Sequence, residues 1–434
     1  MKVYEERKME TIGLFKNFDG KMSLSFELLR YKHVSDGTEF DERDHVVCLY
    51  AHFIDQNWKL RKWAVDYFNA DSSAFHEEWV FGNKKFTLIL SDTVCDVPSE
   101  LTPDVETRIE EHKLFICCSK TISVMVQDAF NRIEDINVGV LDLYSTQPKI
   151  PSWHFKHSEL KQAVKLWSRR KATSGGADCY DVPSLEIWKK VESVCKVVDS
   201  IYEVSNALFE TKYSTANVYL YHLHQLYKIL IQYTKHSDGF IKEVSKCMLK
   251  KFMRSYWKRM FIWLAITAAL DPRFKMKYVE FICSQEPKDR ILSGAAVFEV
   301  IEEKFSEYVI RFPEKEGSIS DSSPSSLQHV NQNFSVLQDY HQFIQNQSDL
   351  VRYFGEPVLP WSQDFDVLTW WSTASLKYPT LTRMARDFLA VPLSTATSYE
   401  AFYTKPKPVD EQLVGLKQDL MHALMYTQSW SLQQ

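Results

Sequence analysis

The chain has 434 residues, 45% of them apolar and 14% aromatic, with a formal net charge of −5 and a pI near 6.3. That length and apolar content support two or three domains with sizeable cores and exclude a disordered chain. The mild acidity excludes the global attraction to nucleic acid that a basic domain supplies, and no run approaches the apolar length of a membrane span.

Residues Met1 to Gly13 contain no apolar segment resembling a signal peptide, so an intracellular location is expected. The eight cysteines are scattered, without a CxxC pair or a downstream HxxxH. Neither a disulfide framework nor a zinc finger is indicated, and reduced core thiols are expected. From Lys21 to Leu90 the residues read as short strands: KMSLSF, HVVCLYAHFI, KLRKWAVDYF and KKFTLILSD. Alternation and β-branched content are strongest in the second and fourth. A further short strand, LFICC, precedes a predicted helix through SVMVQDAFNRIEDI, so residues 1–135 read as a sheet followed by a helix.

The segment from Pro148 to Gly176 reads as irregular. From Leu185 to about Tyr308 the chain reads as almost wholly helical, within a predicted helical domain spanning 136–313. Trp188, Val191, Cys195, Val198, Tyr202 and Ser205 keep three- and four-residue spacing, as do Ile241, Val244, Met248 and Phe252. Between Lys242 and Arg259 seven basic residues face the single acid Glu243. Lys242, Lys246, Lys250, Arg254 and Lys258 form an unbroken i+4 row, which is either a solvated face or a ridge able to track phosphates. Arg169-Arg170-Lys171 is the only other compact basic run, and it is short for an import signal.

Residues 314–345 are a serine-rich linker and lead-in, polar enough in EKEGSISDSSPSS to have no capacity to pack. The last region, 346–434, contains two proline-punctuated amphipathic helices in FDVLTWWSTASLKYPTLTRMARDFLAVP. Val367, Trp370, Trp371, Ala374 and Tyr378 repeat up to Pro379, then Leu381, Met384, Ala385, Phe388 and Leu389 up to Pro392. Two adjacent tryptophans on so short a helix need a second element or a second subunit to cover them. A polar turn is predicted around Lys405 to Pro408, then a final helix with Leu413, Leu416, Leu420, Ala423 and Leu424 on one face. Strands first and helices after them fit a sheet domain with a helical insertion.

The residues from Phe365 to Pro392 resemble the C-terminal dimerisation region of plant hAT-superfamily transposases, in the Activator-like group that includes the DAYSLEEPER and RICESLEEPER proteins. YAHFIDQNWKL at Tyr50–Leu60, the block Trp188–Leu220, LDPRFKMKYVEF at Leu270–Phe281 and SDLVRYFGEPVLP at Ser348–Pro360 resemble further blocks of that family, in its order. The resemblance implies an α/β plus α fold. An RNase H-like sheet is interrupted by a large all-helical insertion, and the C-terminal dimerisation region completes the fold. It also implies, in active members, three acidic residues that hold two divalent metals for strand cleavage and transfer.

This chain departs from the family at those positions. Glu27 stands in KMSLSFELL where an aspartate is expected, and Leu29 where a tryptophan is expected. The extra methylene moves the carboxylate oxygens by more than about an ångström, a large error for catalysis. Asp92 is retained, although Thr93 replaces the asparagine after it. Lys120 and Ser123 replace a histidine and an asparagine in the block after the next strand, and lysine cannot supply a neutral imidazole's hydrogen bonding. Tyr399 stands where the third carboxylate belongs. Glu400 is one residue later, a rotation of about 100° on a helix. Family members also begin with a BED-type zinc finger, and no cysteine precedes Cys48 here.

The resulting expectation is a catalytically inactive, domesticated or relic transposase-like protein without that finger, cofactor or working metal site. It is expected in the nucleus as a homodimer, or as a heterodimer with related hAT proteins, with weak DNA binding through the Lys242–Lys258 row and no membrane contact. Its expected dimerisation residues are Trp370, Trp371, Tyr378, Met384 and Phe388. A metal-dependent nuclease using Glu27, Asp92 and Glu400, and a scaffold that sequesters full-length relatives, are the alternatives.

Overall fold

The structure is a computed structural model that describes residues 2–30, 45–69, 86–91, 114–133, 152–173, 184–209, 215–285, 293–313, 348–362, 364–394, 402, 407–408, 416 and 418–431. Asp92, Thr93, Leu413, Tyr399, Glu400 and the serine-rich linker lie outside these residues. Strands β1 (Met22–Arg30), β2 (His45–Ile54), β3 (Leu60–Asn69), β4 (Phe86–Ser91) and β5 (Leu114–Ile116) form a sheet of order β3-β2-β1-β4-β5. β2 runs antiparallel to both neighbours, while β1, β4 and β5 are parallel. These strands coincide with the segments whose residues alternate or are rich in β-branched side chains.

Helix α1 (Lys2–Asn17) precedes the sheet and was not apparent from periodicity. Its apolar residues are sparse, so the helix depends on good helix formers such as Glu, Lys and Met, and on anchoring by Phe15. Phe15 packs edge-on to Phe53 at 5.7 Å and tilted to Trp63 at 6.0 Å. Helix α2 (Cys118–Asn131) follows β5 without a gap in the described chain and buries Ile122, Met125, Val126, Ala129 and Phe130.

The stretch expected to be irregular contains helix α3 (Trp153–Thr173). It buries only a narrow stripe of Trp153, His157, Leu160 and Ala163, and charged residues dilute that pattern in the sequence. Helices α4 (Leu185–Phe209), α5 (Tyr219–Thr234), α6 (Gly239–Phe252), α7 (Lys258–Ala269), α8 (Lys275–Gln285) and α9 (Gly294–Arg311) follow. The periodic positions of α4 and α6 face the core, with Trp188, Val191, Val198 and Ser205 fully buried alongside Val244 and Phe252. Asp238 caps α6 by accepting from the amides of Phe240 and Ile241, and Ser293 caps α9 by accepting from Ala296.

The C-terminal region supplies α10 (Asp349–Gly355), α11 (Val367–Ala374), α12 (Pro379–Leu389), β6 (Lys407–Pro408) and α13 (Gln418–Ser431). It returns to the sheet at several points. β6, where a polar turn was predicted, pairs in parallel with Leu29 and Arg30 and so extends the β4 side of β1. The Leu393 carbonyl accepts from the Cys118 amide at 3.0 Å, and Arg386 Nε donates to the Ile54 carbonyl at 2.9 Å.

Helix α13 covers the edge strand β3 where Val65 bulges out of register. There the Ala64 amide donates to Ser429 Oγ, Trp430 Nε1 donates to the Ala64 carbonyl, and Tyr426 Oη donates to the Val65 carbonyl. An edge whose backbone groups are engaged this way cannot template another strand. The buried face is therefore Met421, Ala423, Tyr426 and Trp430, while Leu420 and Leu424 of the expected leucine face are exposed. The aromatic side chains carry donors that the bulged edge requires, and leucines carry none.

Candidate functional site

Glu27 lies on β1 opposite Cys48 of β2, which lies opposite Tyr67 of β3. Side chains alternate along a strand, so Glu27, Cys48, Tyr50, His52 and Lys62 share one face of the sheet. The Glu27 carboxylate is ion-paired with Lys62, and both side chains are largely buried, at 14% and 12% exposure. Lys62 Nζ also sits 4.4 Å from the centre of the Tyr50 ring. His52 Nε2 is 2.7 Å from Ser25 Oγ, and burial together with the nearby Lys62 charge holds the imidazole well below its usual range.

The chemistry implied for the family requires carboxylates converging on hard cations. On the sheet face that carries Glu27 the described residues instead provide a thiol, two phenols, a neutral imidazole and an ammonium. Burial pushes Cys48, Tyr50 and Tyr67 well above their ordinary values, so they remain protonated. This donor set does not fit a divalent metal at Glu27. In α2, Lys120 is half-buried in the first turn and Ser123 is buried.

The block LDPRFK has a different role, which the sequence reading did not assign. Asp271 is wholly buried at the end of α7. Its Oδ1 accepts from the Arg273 amide and from Arg273 Nε, and its Oδ2 accepts from Arg273 Nη2 at 2.7 Å and Asn217 Nδ2 at 2.6 Å. Arg273 Nη1 donates onward to the Ser362 carbonyl, and the guanidinium lies 4.6 Å from the ring centres of both Trp361 and Phe365. Lys275 adopts a positive φ of 50°, and its ammonium caps the end of α10 by donating to the carbonyls of Tyr353 and Glu356. Burial lowers Lys275 to about 8. Trp371 Nε1 donates to the Leu270 carbonyl at 2.8 Å, and Tyr353 Oη donates to the Ala269 carbonyl at 3.1 Å. Together these bonds clamp α10 and α11 onto the end of α7.

The residues expected to form the subunit contact largely point into this clamp. Trp371, Tyr378, Met384 and Phe388 are fully buried within their own chain, and Trp370 is half-buried. Tyr353, Trp370, Trp371 and Tyr378 form one ring cluster, and Phe388 stacks on Trp263 of α7 at 5.6 Å. Trp371 is thus covered by elements of its own chain, α7 and α10, whereas Trp370 packs on Tyr353 and Tyr378 and keeps a half-buried face. Periodicity identified the buried face but not its partner. Outward from α11, Leu376 is 95% exposed.

The basic row occupies α6, a π-helical turn at Met253–Trp257 and the start of α7. Lys242, Lys246, Lys250, Arg254 and Lys258 are all exposed. An i+4 row on a regular α-helix drifts by about 40° per step, and the wider π turn counters that drift. Lys246 pairs with Glu243, and Lys251 reaches Asp128 on α2 at 2.5 Å. Arg132, exposed at the end of α2, donates to Cys247 Sγ at 2.8 Å and adds a charge to this side that the linear pattern could not reveal. Arg169 is exposed near the end of α3.

Residues 349–431 match the family model for the hAT family C-terminal dimerisation region, and residues 217–311 match that for the hAT-like transposase, RNase-H fold. The chain belongs to the hAT family. The clamp joins the two matched regions, because Asn217, Asp271 and Arg273 lie in one and Tyr353, Trp361 and Trp371 in the other. Among relatives of this hAT protein, zinc finger BED domain-containing protein RICESLEEPER 2 of Oryza sativa subsp. japonica is 24% identical, over 99% of this chain and 67% of its own length. The putative AC transposase of Zea mays is 25% identical, over 99% of this chain and 59% of its own. Zinc finger BED domain-containing protein DAYSLEEPER of Arabidopsis thaliana is 32% identical, over 58% of this chain and 36% of its own. The hAT chain therefore spans about two thirds or less of the length of these relatives.

Proposed function

We propose that this hAT protein is a catalytically inactive, domesticated or relic transposase-like protein that acts in the nucleus by dimerising and by weak contacts with DNA. The observation that carries the reading is the contrast between the Glu27–Lys62 ion pair and the densely bonded clamp that holds the region matching the dimerisation model. Two further substitutions at family positions, Lys120 and Tyr399, support inactivity. A large helical insertion into an RNase H-like sheet accounts for the way β6, α12 and α13 return to the sheet after the helices. The exposed row from Lys242 to Lys258 is the proposed DNA contact, and its electrostatic character makes that contact salt-sensitive.

Size-exclusion chromatography with light scattering tests the assembly, with a dimer as the expected result and a strictly monomeric protein as the result that overturns it. A Mg²⁺- or Mn²⁺-dependent cleavage assay tests inactivity against Asp92→Asn as control. Cleavage above that control favours the alternative of an active nuclease. Co-purification of related hAT chains in place of a homodimer favours the sequestering scaffold.

A further inference from the structure

We infer that Lys62 is a built-in counter-cation for Glu27, which closes this carboxylate to divalent metal. The inference deepens the proposed loss of catalysis by assigning it a cause within this chain, and it can fail separately from that reading. Lys62 belongs to β3, two strands from Glu27, and its Nζ lies over the ring of Tyr50 on the intervening strand. The ammonium therefore meets the carboxylate over an aromatic ring rather than in open solvent, and ring and carboxylate both attract it.

The surroundings reinforce the pair. Cys48 is wholly buried and Tyr67 nearly so, and the register places Cys48 beside Glu27 and Tyr67 on the far side of Cys48. His52, the neighbour of Lys62 on β2, is tied to Ser25 and kept neutral, so it does not compete as a cation. A divalent ion at Glu27 has to displace Lys62 or sit beside it. Displacement leaves an ammonium largely buried without its carboxylate, and co-residence places two cations together away from water. Among the described residues, neither arrangement brings a second carboxylate to Glu27, and Mg²⁺ requires several oxygen ligands.

The test is a Mn²⁺ titration followed by the loss of the free-ion electron paramagnetic resonance signal, run on wild type, Glu27→Gln and Lys62→Met, with thermal unfolding of each. Wild type and Glu27→Gln are expected to give superimposable Mn²⁺ curves. Lys62→Met is expected to lower the Tm, and the Glu27→Gln/Lys62→Met double variant to recover most of that loss, because the partners are coupled. Wild-type Mn²⁺ binding that falls by about tenfold or more in Glu27→Gln overturns the inference. Should Lys62→Met fail to fold, Lys62→Arg keeps a cation at the position and is expected to retain both the Tm and the wild-type Mn²⁺ curve; a gain of Mn²⁺ binding in that variant also overturns it. Mn²⁺ bound at Glu27 without DNA cleavage sinks the counter-cation and leaves the proposed function standing. A monomer that shows no Glu27-dependent Mn²⁺ binding does the reverse.

Discussion

The Glu27–Lys62 pair and the Asp271–Arg273 pair both bury opposite charges, but they differ in what surrounds them. Glu27 and Lys62 meet across a sheet face lined by Cys48, Tyr50 and Tyr67, at a position where the family expects an aspartate. Asp271 and Arg273 lie in a block that closely resembles the family, and their remaining hydrogen-bonding groups reach Asn217 and the Ser362 carbonyl. A buried ion pair contributes net stability only when such extra bonds offset its desolvation. The difference teaches that resemblance and departure follow two separate demands. The clamp holds the C-terminal region through bonds that do not involve Glu27, so the two sites can vary independently.

The most severe way to break this contrast is Asp271→Ala, which strands the Arg273 guanidinium in the core. A loss of about 3–5 kcal/mol is expected in chemical denaturation. Replacing both partners, as Asp271→Leu with Arg273→Met, is expected to cost much less. Trp371→Ala removes a wholly buried indole and its bond to the Leu270 carbonyl, and about 3–5 kcal/mol is again expected. Trp370→Ala, at a half-buried ring, is expected to cost less than half of that. Equal losses at the two tryptophans would mean that another surface covers Trp370 in solution.

The sheet and the long amphipathic helices were legible in the sequence because their periods are simple. Strands β1 to β5 alternate or run apolar, and the α4 stripe from Trp188 to Ser205 repeats over several turns. Helices α1 and α3 were not legible, since each is anchored by a few side chains amid many charges. Lys62 could not be singled out either, because its partner is set by strand register and the bulge at Val65 rather than by spacing along the chain. The clamp did leave a signal. Asp271, Arg273 and Lys275 follow the apolar run of α7 directly, and a cluster of charges at the end of a buried helix has to be paired.

A second polar anchor of the C-terminal region is softer and responds to pH. Asp387 on α12 is buried and accepts from Tyr308 Oη at 2.7 Å, and Lys21, Glu307, Arg311 and Arg386 are the charged groups around it. Gly20 fits beside it because a Cβ there would lie 2.8 Å from Asp387 Oδ1. Burial raises the carboxyl from 3.8 to about 6. The folded state thus holds its proton more tightly than the unfolded state does. Stability is favoured below pH 4 and falls as pH rises toward 6, by an amount on the order of 2 kcal/mol. Asp387→Asn is expected to flatten that slope in urea titrations and to match or exceed wild type at pH 7.5. An unchanged slope between pH 4 and 6 would show that Asp387 ionises as freely in the folded chain as in the unfolded one.

The smallest expected effect on stability, and the sharpest separation of fold from function, comes from the basic row. Lys250 and Arg254 are exposed on consecutive turns across the junction of α6 and the π turn. Replacing each with alanine is expected to change stability by no more than about 0.5 kcal/mol. Each residue that touches a phosphate should lower the slope of log affinity against log salt by about 1 for duplex DNA, uniformly across sequences. The double variant therefore distinguishes a phosphate-tracking ridge from a solvated helix face without disturbing either buried ion pair. If affinity and salt slope both stay at wild-type values, the ridge is a solvated face, and any DNA binding by this hAT protein has to be sought elsewhere in the chain.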